Sequence, residues 1–75
     1  MSIVFRNKEG QAIKTWVNVE YAGHGIPMVG DIVILHWGDY GEDEEAHIVC
    51  QRVLDGMETD KLFLVVEPYD VEGVH

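Results

Sequence analysis

The sequence has little cysteine, little positive charge and no long apolar run, and each shortage excludes a class of protein. Its 75 residues include one cysteine, so no disulfide within the chain holds the fold together. Because Cys50 lies in an apolar run, we interpret it as a reduced, buried thiol and expect a reducing compartment, the cytoplasm. No apolar run approaches the roughly 20 residues of a membrane span, and the first residues lack the basic start of a signal peptide. We therefore expect a soluble protein.

Positive charge is the second shortage. Five lysines and arginines stand against fourteen aspartates and glutamates, which gives a net charge of −9. Such a charge repels phosphate backbones and anionic lipid surfaces, so we expect neither nucleic acid nor a membrane as partner. The basic residues are also scattered, whereas small barrels that bind nucleic acid present a basic face with exposed aromatic side chains. The acidity favours a solvated surface or a basic protein partner.

What the sequence does contain is a series of short strand patterns, each followed by a turn signal. The clearest is residues 11–21, where apolar and polar side chains alternate with a period of two. Polar or glycine-rich segments separate the patterns and leave no room for a helix of ordinary length. The predicted strands are residues 3–6, 11–21, 31–37, 46–54 and 61–67.

These patterns predict an all-β fold: a single five-stranded antiparallel SH3-like barrel or strongly curved meander. We expect one domain over residues 1–69 and a frayed tail over residues 70–75. Curling of the sheet into a half-open barrel would remove most of its exposed edges. The heptapeptide Pro-Met-Val-Gly-Asp-Ile-Val (residues 27–33) leads into the predicted third strand and resembles the turn-to-strand entry of many SH3-like barrels. This resemblance supports the predicted fold and does not imply membership of a family.

The register of the strands decides which side chains form the core. If His36 lies opposite His47, the predicted core face carries Val33, Leu35, Ile48, Cys50, Phe63 and Val65. The opposite face, with Ile32, Ile34, Val49, Leu64 and Val66, is also apolar, so we expect the second strand or a partner to cover it. A slip of one residue would exchange the two faces.

Residues 38–45 form the most acidic segment, which we predict to be a loop. Its carboxylates lack the spacing of an EF-hand, so no specific metal site is predicted there. We interpret the segment as a solvated loop and, alternatively, as the contact surface for a basic partner. The predicted binding residues are Trp16, Asp39, Tyr40, Glu42, Asp43, Glu44 and Glu45.

Trp16 belongs to this set because the alternation of the second strand places it on the polar face. An exposed tryptophan is a frequent affinity anchor in protein interfaces. In the alternative interpretation, Trp16 covers an open end of the barrel or packs on the first strand.

The two histidines of the third and fourth strands are the candidate metal ligands, with Asp39 or Glu45 as a third ligand. Facing each other across neighbouring strands, His36 and His47 would form half of a zinc site. Nothing in the sequence supplies a clear fourth ligand, and the alternative is a pair of partly exposed histidines at strand ends. No cofactor is predicted.

Catalysis has little support, because the sequence contains neither a nucleophile elbow nor a triad with local support. A barrel of this size also lacks interior volume for a ligand pocket. We therefore expect a non-enzymatic interaction module that binds a protein partner or a second copy of itself. The alternatives are a zinc site at His36 and His47 and a structural component of a larger assembly, such as that of a phage or mobile element.

Overall fold

The computed structural model describes residues 2–17 and 26–70, and these residues form an all-β fold. No α-helix occurs among them. None of their segments is a helix long and apolar enough to cross a lipid bilayer. The strands are β1 (Ser2–Arg6), β2 (Ala12–Trp16), β3 (Ile32–Trp37), β4 (Asp43–Val53) and β5 (Lys61–Pro68).

The five strands form one mixed sheet in the order β2-β1-β5-β4-β3, curled into a half-barrel. The predicted curvature is confirmed, but the prediction of a wholly antiparallel sheet is wrong. β1 pairs with β5 in parallel, with Ile3 beside Leu62 and Phe5 beside Leu64. Parallel neighbours need a long connection, and the intervening β2, β3 and β4 supply it. The alternation of side chains is the same in both kinds of pair, so it could not reveal this one.

The main core fills the inner face of the curled sheet. Phe5, Leu35 and Leu64 are fully buried there. Burial of each such side chain is worth about 1.5–3 kcal/mol relative to exposure, which is substantial for a chain without a disulfide. The complete cluster is Ile3, Phe5, Val33, Leu35, Val49, Leu62, Leu64 and Val66, with Ile13, Trp16, Ile26 and Trp37 packed against it.

Two turns have the chemistry that their sequences indicate. Asn7 Oδ1 accepts from the backbone N–H groups of Glu9 and Gln11, and Gly10 takes a φ of 85°. Before β3, the Asp31 N–H donates to the Met28 carbonyl, as in a β-turn. Gly30 has a φ of 96° there, which a type II turn requires at its third residue.

The β3–β4 register differs from the predicted one. His36 pairs with Glu44 and not with His47, which is a displacement of three residues (47 − 44). The displacement arises because β4 begins at Asp43, inside the segment predicted to be a loop, so the connection is shorter. An odd displacement exchanges faces. The core therefore combines Val33 and Leu35 with the β4 and β5 residues predicted for the opposite face, Val49, Leu64 and Val66.

The β4–β5 register agrees with the prediction along half of its length. Val49 pairs with Val66 as predicted, whereas an irregularity at Cys50 shifts the pairing, so Gln51 lies beside Val65. Ile48, Cys50 and Val65 are half-buried and do not belong to the main core. Phe63 is buried but lies outside that core cluster as well.

The sheet extends from Ser2 to Pro68, within the predicted domain. The second strand was predicted over residues 11–21 and is observed as Ala12–Trp16. Its predicted continuation over residues 18–21 lies outside the described residues, as do residues 71–75 of the predicted tail.

Candidate interaction surface

The outer face of the sheet points away from the main core. Its half on β1 and β5 is covered by side chains of the protein itself. Val4 of β1 and Phe63 of β5 lie side by side there, and only 4% of the Phe63 surface is exposed. The guanidinium carbon of Arg6 lies 3.9 Å from the centroid of the Phe63 ring. The guanidinium over the aromatic face is attracted to it by a cation–π interaction. The aliphatic stem of the arginine side chain shields apolar surface at the same time. We call Val4, Arg6 and Phe63 the covered half.

The other half of the outer face, on β3 and β4, exposes apolar side chains. Ile32 and Ile34 are 47% and 50% exposed, because their neighbours Val33 and Leu35 point into the core. Ile48 of β4 pairs with Ile32 and is half-buried. We call Ile32, Ile34 and Ile48 the isoleucine strip. Branched aliphatic side chains suit a strand, but their exposure together on one sheet face is typical of a contact surface.

Charged residues border the isoleucine strip on two sides. Glu67 pairs with Ile48 in the sheet and forms an ion pair with Lys8, at 2.5 Å between Nζ and Oε2. The hydrogen bond to Glu67 raises the pKa of Lys8, and the same bond lowers the pKa of Glu67. At the other side, Glu44 pairs with His36, and its Oε2 lies 3.9 Å from His36 Nδ1.

Beyond Glu44, the chain forms the β3–β4 connection, and we call residues 38–45 the acidic hairpin. Gly38 and Gly41 have φ values of 93° and 68°, which favour glycine at both positions. The Glu42 carboxylate folds back over this loop and accepts from the Tyr40 N–H at 3.0 Å. Hydrogen bonds from its own N–H and from that of Tyr40 hold the pKa of Glu42 below its usual range. Glu42 therefore stabilises the loop, and its carboxylate is already engaged within it.

The other carboxylates of the acidic hairpin point to different sides. Asp43 pairs with Trp37 and Glu45 with Leu35, whereas Glu44 pairs with His36 on the outer face. Because successive residues of a strand alternate, the predicted cluster is divided between the two faces of β4. Among the described residues, no lysine or arginine forms an ion pair with the acidic hairpin.

The two histidines are not brought together. His36 is exposed on the outer face and its Nδ1 donates to the Gly41 carbonyl at 3.1 Å. His47 is buried on the inner face beside Trp37, and its Nε2 lies 3.5 Å from Glu45 Oε1. The prediction that they face each other is wrong because of the changed register. Within residues 2–17 and 26–70, no three His, Cys, Asp or Glu side chains lie close enough to hold a metal ion.

The two aromatic residues of the predicted site have different surroundings. Tyr40 lies at the tip of the acidic hairpin and is 96% exposed. Trp16 is half-buried and packs edge-on against Phe5 of β1, at 4.7 Å between ring centroids. Packing on the first strand, the alternative interpretation, is therefore observed. Trp16 lies on an edge strand of the sheet, and the acidic hairpin connects the other edge strand, β3, to β4.

Cys50 is half-buried, as expected of a structural thiol, although on the outer face. Burial is the main cause that raises its pKa, and the nearby Glu67 adds to the effect. Its Sγ donates to the Ile48 carbonyl at 3.6 Å. A raised pKa keeps the thiol protonated at neutral pH, which lowers its reactivity.

Sequence reasoning missed the isoleucine strip as a defined surface. The signal was present, because the predicted second face contained Ile32 and Ile34, but the wrong register joined them to residues that are in fact core. An exposed Ile-x-Ile pair beside an acidic segment was the feature that could have identified it.

Comparisons of the chain with protein-family models, curated protein sequences and solved structures gave no match.

Proposed function

We propose that this domain is a non-enzymatic interaction module that binds a basic protein partner through the acidic hairpin. One observation carries the proposal: the hairpin concentrates carboxylates at one end of the sheet, and no lysine or arginine of the described residues pairs with them. An uncompensated field of one sign attracts a partner of the opposite sign and raises its rate of association.

The predicted binding residues take different parts in this proposal. Asp39, Asp43, Glu44 and Glu45 supply negative charge, and Tyr40 adds an exposed aromatic ring at the tip. Glu42 supports the loop through its hydrogen bond with Tyr40. Trp16 supports the core through Phe5, so we assign it a packing role.

The experiment is binding of a fluorescent lysine-rich peptide, measured by anisotropy over a range of salt concentrations. We expect affinity to fall steeply with salt and to fall about tenfold in the double variant Asp39→Asn/Glu44→Gln. The matched control is Glu9→Gln/Asp60→Asn, which removes the same charge from exposed turns elsewhere. Equal losses in both variants would show a response to net charge alone and would contradict a site on the hairpin.

Two finer assignments belong to the same proposal. The curled sheet and the turn over residues 27–33 support an SH3-like barrel, while the parallel β1–β5 pair departs from the antiparallel arrangement. At the seam between β2 and β3, Lys14 Nζ lies 5.8 Å from the Trp37 ring centroid, which supports closure. The single, reduced cysteine supports a cytoplasmic location.

A further inference from the structure

The isoleucine strip is the part of the outer face that no other side chain of the described residues covers. Arg6 shields the neighbouring Phe63, but within residues 2–17 and 26–70 no equivalent long side chain covers Ile32 or Ile34, which remain 47% and 50% exposed. Both isoleucines remain about half exposed on a regular strand, with Ile48 beside them. A second apolar surface of this kind is costly to leave in water and gains free energy when another molecule buries it.

The charge around the strip indicates which kind of molecule binds there. The strip continues along β4 into the acidic hairpin, with Glu44 two residues beyond Ala46 on the same face. The nearby cation, Lys8, is already engaged by Glu67 at 2.5 Å. A second copy of the chain would bring its own carboxylates and a net charge of −9 against this surface. Like charges disfavour that contact, whereas a basic partner gains attraction.

The direction of the strip indicates the conformation of the occupant. Ile32 and Ile34 are alternate residues of one strand, and alternate side chains of a strand are about 6.6–6.8 Å apart. An extended segment has the same repeat, so two of its alternate side chains can contact the two isoleucines. The side chain two positions further along the segment points to the same side and then lies within reach of Glu44 and the acidic hairpin.

We infer that the isoleucine strip is the docking site for an extended, basic segment of a protein partner. Aliphatic side chains at alternate positions of that segment pack on Ile32 and Ile34, and lysine or arginine side chains contact Glu44 and the acidic hairpin. The inference rests on the proposed function, because it adds the apolar half of the same binding surface.

The test compares two labelled peptides, Gly-Lys-Thr-Leu-Thr-Leu-Thr-Lys-Gly and Gly-Lys-Thr-Ser-Thr-Ser-Thr-Lys-Gly, by anisotropy with the full chain; in the extended form their lysines lie on the same side as the leucines or serines. We expect the leucine peptide to bind at least tenfold more tightly. The variant Ile32→Ser/Ile34→Ser should remove this difference and leave the affinity for the serine peptide unchanged. The matched control Leu54→Ser/Met57→Ser changes two other exposed apolar residues and should preserve the difference. Thermal unfolding of each variant confirms that it is folded.

The outcomes separate this inference from the proposed function. Equal binding of both peptides would overturn docking on the strip while hairpin binding stands. Binding of neither peptide at low salt would overturn both. A concentration-dependent dimer, detected by light scattering and lost in Ile32→Ser/Ile34→Ser, would also overturn the inference, because a second copy would then occupy the strip.

Discussion

The covered half and the isoleucine strip lie on the same outer face, and their sequences are similarly apolar. Phe63 is 4% exposed and Arg6 lies over its ring, whereas Ile34 is 50% exposed. Phe63 also lies on a central strand, between Val4 and Val53, whereas Ile34 lies on the edge strand β3. Arg6 adds a long side chain over the ring. The comparison teaches that a second apolar face need not be a second core, because the described residues bury one part of this face and leave the other part exposed.

The largest expected effect is a difference in stability between substitutions in the covered half and substitutions in the isoleucine strip. Phe63→Ala should lower the free energy of unfolding by about 3–5 kcal/mol, because it leaves a cavity beneath Arg6. Ile34→Ala should cost less than about 1 kcal/mol, because water already reaches the side chain. Urea unfolding followed by circular dichroism measures both values. If Phe63→Ala does not fold, Phe63→Leu should still cost more than Ile34→Ala, and equal losses would contradict the division.

The next effect tests the covering side chain itself. Arg6→Ala should lower the free energy of unfolding by about 1–2 kcal/mol, because both the cation–π contact and the shielding of Phe63 are lost. Arg6→Met keeps an apolar stem over the ring and should recover part of that loss. Thermal unfolding of the two variants provides the comparison, and unchanged stability in Arg6→Ala would show that Phe63 does not depend on the guanidinium.

A smaller effect is expected on the isoleucine strip. Ile34→Thr keeps a β-branched side chain and removes apolar surface, so stability should change by no more than about 0.5 kcal/mol. Binding of a hydrophobic dye to the folded protein should fall at the same time. A loss above about 2 kcal/mol would mean that Ile34 belongs to a core contact and not to an exposed surface.

The smallest effect concerns the ion pair at the border of the strip. The lowered pKa of Glu67 means that its contribution is present above about pH 4 and lost as the pH falls below. The raised pKa of Lys8 means that its contribution is present below about pH 10 and lost as the pH rises above. Lys8→Met should therefore reduce the melting temperature slightly at pH 6 and hardly at pH 2. An equal reduction at both values would contradict an electrostatic role.

The parts of the fold that depend on local chemistry could be predicted from the sequence. Asn7 and Gly10 define the first turn, and Gly30 with Asp31 defines the turn into β3. The start of β4 was missed because consecutive acidic residues have poor strand propensity, and pairing with β3 overrides that preference. Once the start was wrong, the register and the core face were wrong as well.

Features made by distant residues were beyond this reasoning. The parallel pair joins the first and last strands, and no local pattern distinguishes it from an antiparallel pair. The same applies to the division of the outer face, because Arg6 and Phe63 meet only once β1 lies beside β5. The acidic character of the candidate site was visible in the sequence, but its apolar half required the correct register.

The most direct test of the central claim is a map of backbone amide chemical shifts as the leucine-containing basic peptide is added to the isotopically labelled protein. We predict that the largest changes occur at Ile32, Ile34 and Ile48 and extend to Glu44, while Val4 and Phe63 change little. Changes confined to residues 39–45, or centred on Val4 and Phe63, would contradict the claim that the uncovered half of the outer face is where a partner docks.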